Sequence, residues 1–303
     1  MKFYIGESLI NYCKVHSVED FSNSFKTIDV CKTLSLPIVS SVVVYNHLRK
    51  SLVRNLDTWD ELSVMCSSKG DQPKYFSTEE DAYIKLRFYY QEQFWRDELV
   101  EVIASRMFND LGVVEQIPVW TNKGWGCYSK NFATNATFIS YASLLNKKGV
   151  TSVKVSFDSV KDLIYNETGL DLTHYLLRMV LTDTIVLNED RHWNNFGVLY
   201  TGDSWQIAPL FDYGLGLFEH DEKYDRFKSS NYYIGALNKV RSKPFWSDPF
   251  KTIKRLSEMG YRYQLIDMLS KVDWNADTIT PSNLAHKHLT SVRKRLESIL
   301  CLD

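Results

Sequence analysis

The sequence has little that would staple a fold together. Five cysteines, Cys13, Cys31, Cys66, Cys127 and Cys301, are scattered over 303 residues, with no C-x-x-C pair and no histidine at metal-ligand spacing. An odd, dispersed set of this kind reads as free thiols of a reducing compartment, not as a disulfide framework. No apolar run reaches the roughly 18 residues that span a bilayer, and the N-terminus lacks a basic stretch followed by an apolar one. A cytoplasmic protein without membrane contact is therefore expected. Excess charge of one sign is missing too. The 36 Lys and Arg against 37 Asp and Glu leave a net charge of −1 and a pI near 6.7, so nothing pulls the whole chain towards nucleic acid or lipid. Neither a Walker A run nor a Gly-x-Gly-x-x-Gly occurs, and no internal repeat or low-complexity segment is visible.

What is present is enough apolar material, 44% of the chain, to fill the core of one large or two small domains. Residues 1–60 mix a β-branched run from Leu36 to Tyr45, which fits a buried strand, with Arg49, Lys50 and Arg54, which read as a solvated face. No function is assigned to them. Strand and turn patterns follow: Tyr75-Phe76, the acidic turn Glu79 to Asp81, then Ala82 to Leu86, and later Val113 to Trp120 and Gly126 to Phe132. Between them, Phe94 to Asn109 has helical spacing through Leu99, Val102, Ile103 and Met107, with Gly112 as its stop. The stretch from Phe138 to Leu145 would link two lobes, 1–142 and 143–303. Beyond it, Leu172 to Leu187, Phe250 to Leu269 and Pro281 to Leu300 carry helix-spaced apolar positions, the last with a basic face of Lys287, Arg293, Lys294 and Arg295. This is an α+β pattern with a β-rich N-terminal half and a helical C-terminal half.

The most specific stretch is Asn188-Glu189-Asp190-Arg191-His192-Trp193-Asn194-Asn195, followed by Leu210-Phe211-Asp212-Tyr213-Gly214. An apolar helix, Met179 to Leu187, leads into the first. Two short strands, Phe196 to Leu199 and Trp205 to Phe211, joined by a Gly202-Asp203 turn, lead to the second. Asp190, Asn195 and Asp212 can thus converge on one side of a hairpin. Phosphoryl transfer needs a carboxylate to take or orient the proton of the attacking hydroxyl, and an amide plus a second carboxylate as hard oxygen ligands for magnesium. The competing reading is an acidic turn with a loop Asp capping a helix.

Lys85 is the lone charge within Tyr83-Ile84-Lys85-Leu86. If its face of the strand is dry it needs a buried partner, and a carboxylate from the neighbouring helix would hold it for a nucleotide phosphate. Glu101, next to Val102 and Ile103, is preferred over Glu98, which lies on nearly the same helix face. The loop around Gly70, followed by Lys74, offers backbone N–H groups to an anion, a weak signal by itself.

Together these pieces resemble the HipA family of bacterial serine/threonine kinases, named for the toxin of a toxin–antitoxin pair. The likeness spans Ser67-Ser68-Lys69-Gly70-Asp71-Gln72-Pro73-Lys74, which resembles the family's Gly-x-Gln-x-Lys phosphate loop, then Tyr83 to Leu86, the helix with Glu101, Asp190-x-His192-x-x-Asn195, and Phe211-Asp212. It implies a two-lobed protein-kinase-like (HipA-like) fold, ATP with Mg²⁺, and phosphorylation of a serine or threonine on a protein substrate. By the same resemblance Asp190 is the catalytic base, Asn195 and Asp212 bind Mg²⁺, Lys85 binds ATP phosphates, and Gly70, Gln72 and Lys74 form the phosphate loop. His192 matches a histidine that orients the catalytic loop. Ser67 matches a self-phosphorylated position, with Ser68 and Ser63 as neighbours. An antitoxin is implied as a partner, although the family's toxins carry a larger N-terminal subdomain for a DNA-bound antitoxin, and residues 1–60 are too few and too different for that contact to be assumed. Two other functions stay open. A small-molecule phosphotransferase uses the same trio. A kinase-like subunit of a DNA-bound repressor complex would use the basic C-terminal helix, but has no need of Asp190, Asn195, Asp212 and Lys85 together.

Overall fold

The computed structural model describes residues 52–62, 74–86, 89–90, 93–94, 97–147, 156–217, 245, 248–274 and 283–302. The expected strand from Leu36 to Tyr45, with Arg49 and Lys50, lies outside them. In chain order the described elements begin with β1 (Leu52–Arg54), β2 (Asp60–Leu62), β3 (Lys74–Ser77) and β4 (Ala82–Leu86), then a small hairpin of β5 (Tyr89–Tyr90) and β6 (Gln93–Phe94). Helix α1 (Asp97–Met107) follows, then β7 (Ile117–Thr121), β8 (Gly124–Lys130) and β9 (Thr137–Ser140). Next come α2 (Tyr141–Lys147), α3 (Phe157–Thr168) and α4 (Thr173–Val186), the hairpin β10 (Gly197–Tyr200) and β11 (Trp205–Ile207), and α5 (Pro249–Leu256), α6 (Arg262–Ser270) and α7 (Asn283–Leu300). The N-terminal part is built on a six-stranded sheet of order β1-β7-β8-β4-β3-β2, antiparallel except for the β1–β7 pair. A second sheet, β11-β10-β9, sits among the helices.

Alternation along β4 divides the large sheet into two faces. Ala82, Ile84 and Leu86 are buried with Leu56, Trp59, Tyr75, Val119 and Tyr128 in a small core, where full burial of a side chain such as Ile84 is worth about 1.5–3 kcal/mol. Tyr83 and Lys85 point the other way, towards the side on which α1 packs against β7 and β8. The apolar stripe of α1, Val100, Ile103, Ala104 and Met107, belongs to the larger core formed mainly by the helices. Strand and helix are thereby locked at the level of Lys85.

At the centre of that larger core is α4, buried along nearly its whole length from Tyr175 to Val186, as expected of a helix apolar on all sides. Helices α3, α5, α6 and α7 pack around it. Its buried hydroxyls return to the backbone one turn back, Thr182 Oγ1 to the Arg178 carbonyl at 2.8 Å and Thr184 Oγ1 to the Val180 carbonyl at 2.6 Å. Asp183 has no such local solution. Helix α3 starts on a reciprocal Ser156–Ser159 capping box and ends at Gly169 with φ 74°.

Several elements differ from the sequence pattern; the strand expected from Val113 to Trp120, for one, is Ile117–Thr121, with Val113 in an isolated bridge. The α1 helix begins at Asp97 rather than Phe94, because Phe94 pairs with Tyr89 in the small hairpin. Pairing after β10 stops at Ile207, since Pro209 has no N–H to give to a ladder, and Leu210 instead forms a parallel bridge with Val113. The helix expected from Phe250 to Leu269 is two helices, broken at a π-turn where Gly260 takes φ 99°. Among the described residues no helix is long and apolar enough to cross a membrane, and Cys127 and Cys301 are free.

Candidate active site

Lys85 Nζ donates to Glu101 Oε1 at 2.7 Å and to Asp212 Oδ1 at 3.0 Å. The lysine side chain is 18% exposed and that of Glu101 only 3%. The second carboxylate oxygen of Glu101 accepts the Tyr213 backbone N–H at 3.2 Å, so one glutamate ties strand β4 to the chain just past Asp212. Glu98, also buried, is not the partner of Lys85. Burial alone would lower the Lys85 pKa, but Asp212 and then Glu101 outweigh it and hold the ammonium well above its usual value. Burial would likewise raise the Asp212 carboxyl, yet Lys85 beside it, with Lys74 and Arg191, keeps it well below the usual carboxylate range. Cys127, paired with Lys85 across the β4–β8 ladder, is buried and its thiol is pushed well above the ordinary value by that burial.

Asp212 adopts φ 66°, a left-handed conformation that few residues but Asn, Asp and Gly take readily. The chain leading to it is pinned on both sides. Val114 N–H reaches the Leu210 carbonyl at 2.8 Å and Leu210 N–H the Gly112 carbonyl at 3.0 Å. Phe211 packs its ring on Phe132 and Phe138, with centroids 5.2 and 5.4 Å away.

The loop after α4 is folded on its own polar groups. Asn195 N–H donates to the His192 carbonyl at 2.9 Å, and its Nδ2 to the Asp190 carbonyl at 3.2 Å, which leaves Oδ1 as the oxygen that can serve as a ligand. His192 Nδ1 accepts the Asn194 N–H at 3.2 Å, a contact that shapes the loop. Asn188 Oδ1 accepts the Asp190 N–H at 3.1 Å, while its Nδ2 donates to the Asp212 carbonyl at 3.2 Å. The two predicted segments, 188–195 and 210–214, are therefore directly joined.

Arg191, which the sequence reading passed over, is the largest fully buried side chain described. Its Nε lies 3.2 and 3.0 Å from the two Asp183 oxygens and its Nη2 2.9 Å from Oδ1. Nη1 donates to the Asn195 carbonyl at 3.0 Å and, over a short contact, to the Phe211 carbonyl. The guanidinium stands 4.7 Å from the Tyr213 ring centroid, and the Tyr213 hydroxyl meets Thr182 Oγ1 at 2.8 Å. A signal did exist: Asp183 is the lone charge in Met179 to Leu187, and a carboxylate in an apolar helix needs a buried cation.

Lys85, Glu101, Asp190, His192, Asn195 and Asp212 thus fall into one connected set. Lys74 joins its edge. It lies opposite Lys85 on β3, and burial, then the Lys85 charge, lowers its pKa. Gly70, Gln72, Ser63, Ser67 and Ser68 lie outside the described residues. As a metal site the set offers a carboxylate held ionised and an amide oxygen, both hard donors. Among the described residues no three His, Cys, Asp or Glu side chains cluster as ligands. A sparse oxygen set suits Mg²⁺, which keeps several waters and takes its remaining ligands from phosphate.

By sequence, no family model and no curated protein matches the chain. By structure, the crystal structure of the Helicobacter pylori proinflammatory kinase CtkA aligns with a TM-score of 0.51 at 17% identity, over 82% of this chain and 96% of that one. The chain has a kinase fold. The α+β, kinase-like fold class expected from the β-rich and helical halves of the sequence and from its resemblance is the one observed. A chain of the Shewanella oneidensis MR-1 toxin–antitoxin complex of HipA, HipB and operator DNA aligns more loosely, with a TM-score of 0.38 at 14% identity over 90% of this chain and 71% of that one. On this fold Lys85 lies on β4 and Glu101 on α1, and Asp190 and Asp212 lie in the two loops that Asn188 joins.

Proposed function

We propose that the chain is an ATP- and Mg²⁺-dependent serine/threonine protein kinase of HipA type, with its N-terminal lobe in 1–142 and its C-terminal lobe in 143–303. The observation that carries this reading is the Lys85 ammonium between Glu101 and Asp212, set on a kinase fold and joined through Asn188 to the Asp190 loop. Lys85 binds the nucleotide phosphates. Glu101 holds Lys85 in place, so little rotamer freedom is lost when phosphate arrives. Asn195 Oδ1 and the Asp212 carboxylate hold Mg²⁺, which neutralises charge on the phosphates when bound. Asp190 takes or orients the proton of the attacking hydroxyl, and His192 keeps that loop in shape. Gly70, Gln72 and Lys74 cover the phosphates, and Ser67 or Ser68 is the site of self-phosphorylation. The substrate is a protein with a Ser or Thr acceptor, an antitoxin is a further partner, and the compartment is the cytoplasm; the sequence resemblance and the free thiols support these points.

Intact-mass spectrometry before and after incubation with ATP and Mg²⁺, beside Asp190→Ala, tests the reading. A gain of one phosphoryl group mapped to Ser67 or Ser68, absent in the variant, is the expected result. Mg²⁺-dependent ATP binding without any protein phosphorylation would move the assignment to a small-molecule phosphotransferase. Absence of nucleotide binding would overturn it in favour of a kinase-like binding subunit.

A further inference from the structure

We propose that Asp183 is a positioning residue that sets the separation of Asn195 and Asp212, acting through two arms, Arg191 and Asn188. The inference rests on the phosphoryl-transfer reading above and extends it to residues that touch neither nucleotide nor metal. A guanidinium is a rigid planar fork. That of Arg191 is fixed on one side by three contacts to Asp183 of 2.9–3.2 Å. On the other side its Nη1 grips two carbonyls, that of Asn195 at 3.0 Å and that of Phe211, the residue before Asp212. Two loop segments that each carry a metal ligand are therefore gauged against one flat group. Asn188 repeats the device: its Nδ2 donates to Asp183 Oδ1 at 3.0 Å and to the Asp212 carbonyl at 3.2 Å. Asp183 and Arg191 are 5% and 0% exposed, so water does not compete for these bonds.

The consequence is a site tuned to a small ion. Mg²⁺ demands nearly ideal octahedral geometry at about 2.0–2.1 Å, whereas Ca²⁺ accepts irregular oxygen shells at about 2.3–2.6 Å. Loosening the gauge should harm Mg²⁺ more than Ca²⁺. Arg191→Lys keeps a cation beside Asp183 but cannot hold a carboxylate and two carbonyls in one plane. Asn188→Ser removes the second arm and leaves the buried ion pair intact, so it decides the matter if Arg191→Lys does not fold. Val180→Ala, a buried position on the same helix, is the control for general loss of stability.

The measurement is the dissociation constant of ATP by calorimetry with Mg²⁺, with Ca²⁺ and with EDTA. Both arm variants are expected to weaken Mg²⁺-dependent binding by about tenfold or more, as for other groups that orient metal ligands, to weaken Ca²⁺-dependent binding by clearly less, and to leave metal-free binding unchanged. Val180→Ala should leave the Mg²⁺ to Ca²⁺ ratio at the wild-type value. Equal losses with both metals, or an unchanged Mg²⁺ constant, would overturn the role of Asp183 while the kinase reading stands. A wild-type protein without metal-dependent ATP binding would overturn both.

Discussion

Lys85 and Asp212 are 127 positions apart in the chain, yet Nζ and Oδ1 lie 3.0 Å from each other. The proposed phosphate-binding cation and the proposed metal ligand thus neutralise one another in the free protein. Glu101, bonded to the same ammonium at 2.7 Å, fixes the lysine, so that on the proposed reading a nucleotide would exchange one anion around Lys85 for another with no new rotamer to find.

Lys85→Met leaves two carboxylates facing each other across the site. Breaking a fully buried pair by removing one partner costs about 3–5 kcal/mol; because Asp212 is 36% exposed and solvent screens it, a loss on the order of 2 kcal/mol is expected here. Phosphoryl transfer should fall by at least about a hundredfold, the scale of one lost electrostatic contact to the transition state. Urea unfolding together with initial-rate kinetics checks both, and an unchanged rate would remove Lys85 from the site.

Glu101 and Glu98 separate cleanly in a paired test. Glu101→Gln keeps the shape but removes the charge from Lys85 and weakens the acceptor for the Tyr213 N–H, so the rate should drop by about tenfold or more through misplacement of the lysine. Glu98→Gln should change the rate far less, whatever it does to stability. Comparable rates for the two variants would show that the observed pairing is not the working one.

Much of this was legible in the sequence because it is local. Alternation in Ala82 to Leu86 sets the two faces of β4, and the spacing in Asp190 to Asn195 survives translation into a loop. Lys85 and Glu101 could be paired because a strand charge and a helix charge beside an apolar stripe have few other places to go. What was missed depends on long-range partners. Asp183 announces a buried charge but not that Arg191, in a loop, completes it. The break at Gly260 was hidden because helical spacing continues on both sides of it, and the late start of α1 because the hairpin of Tyr89 to Phe94 has no turn glycine to mark it.

Gly126→Ala tests the sheet beneath the lysine. A Cβ at Gly126 would lie 1.9 Å from the Lys85 carbonyl oxygen, which is backbone and cannot swing away. Strands β4 and β8 would have to part at the level of the site, at a cost of about 1–3 kcal/mol typical of overpacking. Thermal unfolding should show that loss, and nucleotide affinity should fall with it. A variant as stable as the wild type would mean that β8 bends away freely here.

His288 gives the fold a pH dependence of its own. The ring is fully buried on α7, its Nε2 meeting the Ile185 carbonyl at 3.0 Å near the end of α4. Burial pushes its pKa down to about 4 from 6.5. The folded state therefore keeps a neutral ring where the unfolded chain takes up a proton, so this contribution is complete above pH 6.5 and is lost progressively as the pH falls towards 4. At about 1.4 kcal/mol per pKa unit the loss is at most roughly 3–4 kcal/mol. Asp212 acts in the same direction but in a lower, separate window, since its depressed pKa gives stability that persists until the pH drops below the ordinary carboxylate value of 3.8. Urea unfolding at pH 7.5 and pH 5 should show a steeper acid loss in the wild type than in His288→Gln, whose amide can still donate to Ile185 but cannot charge. Equal losses in the two proteins would place the acid sensitivity elsewhere.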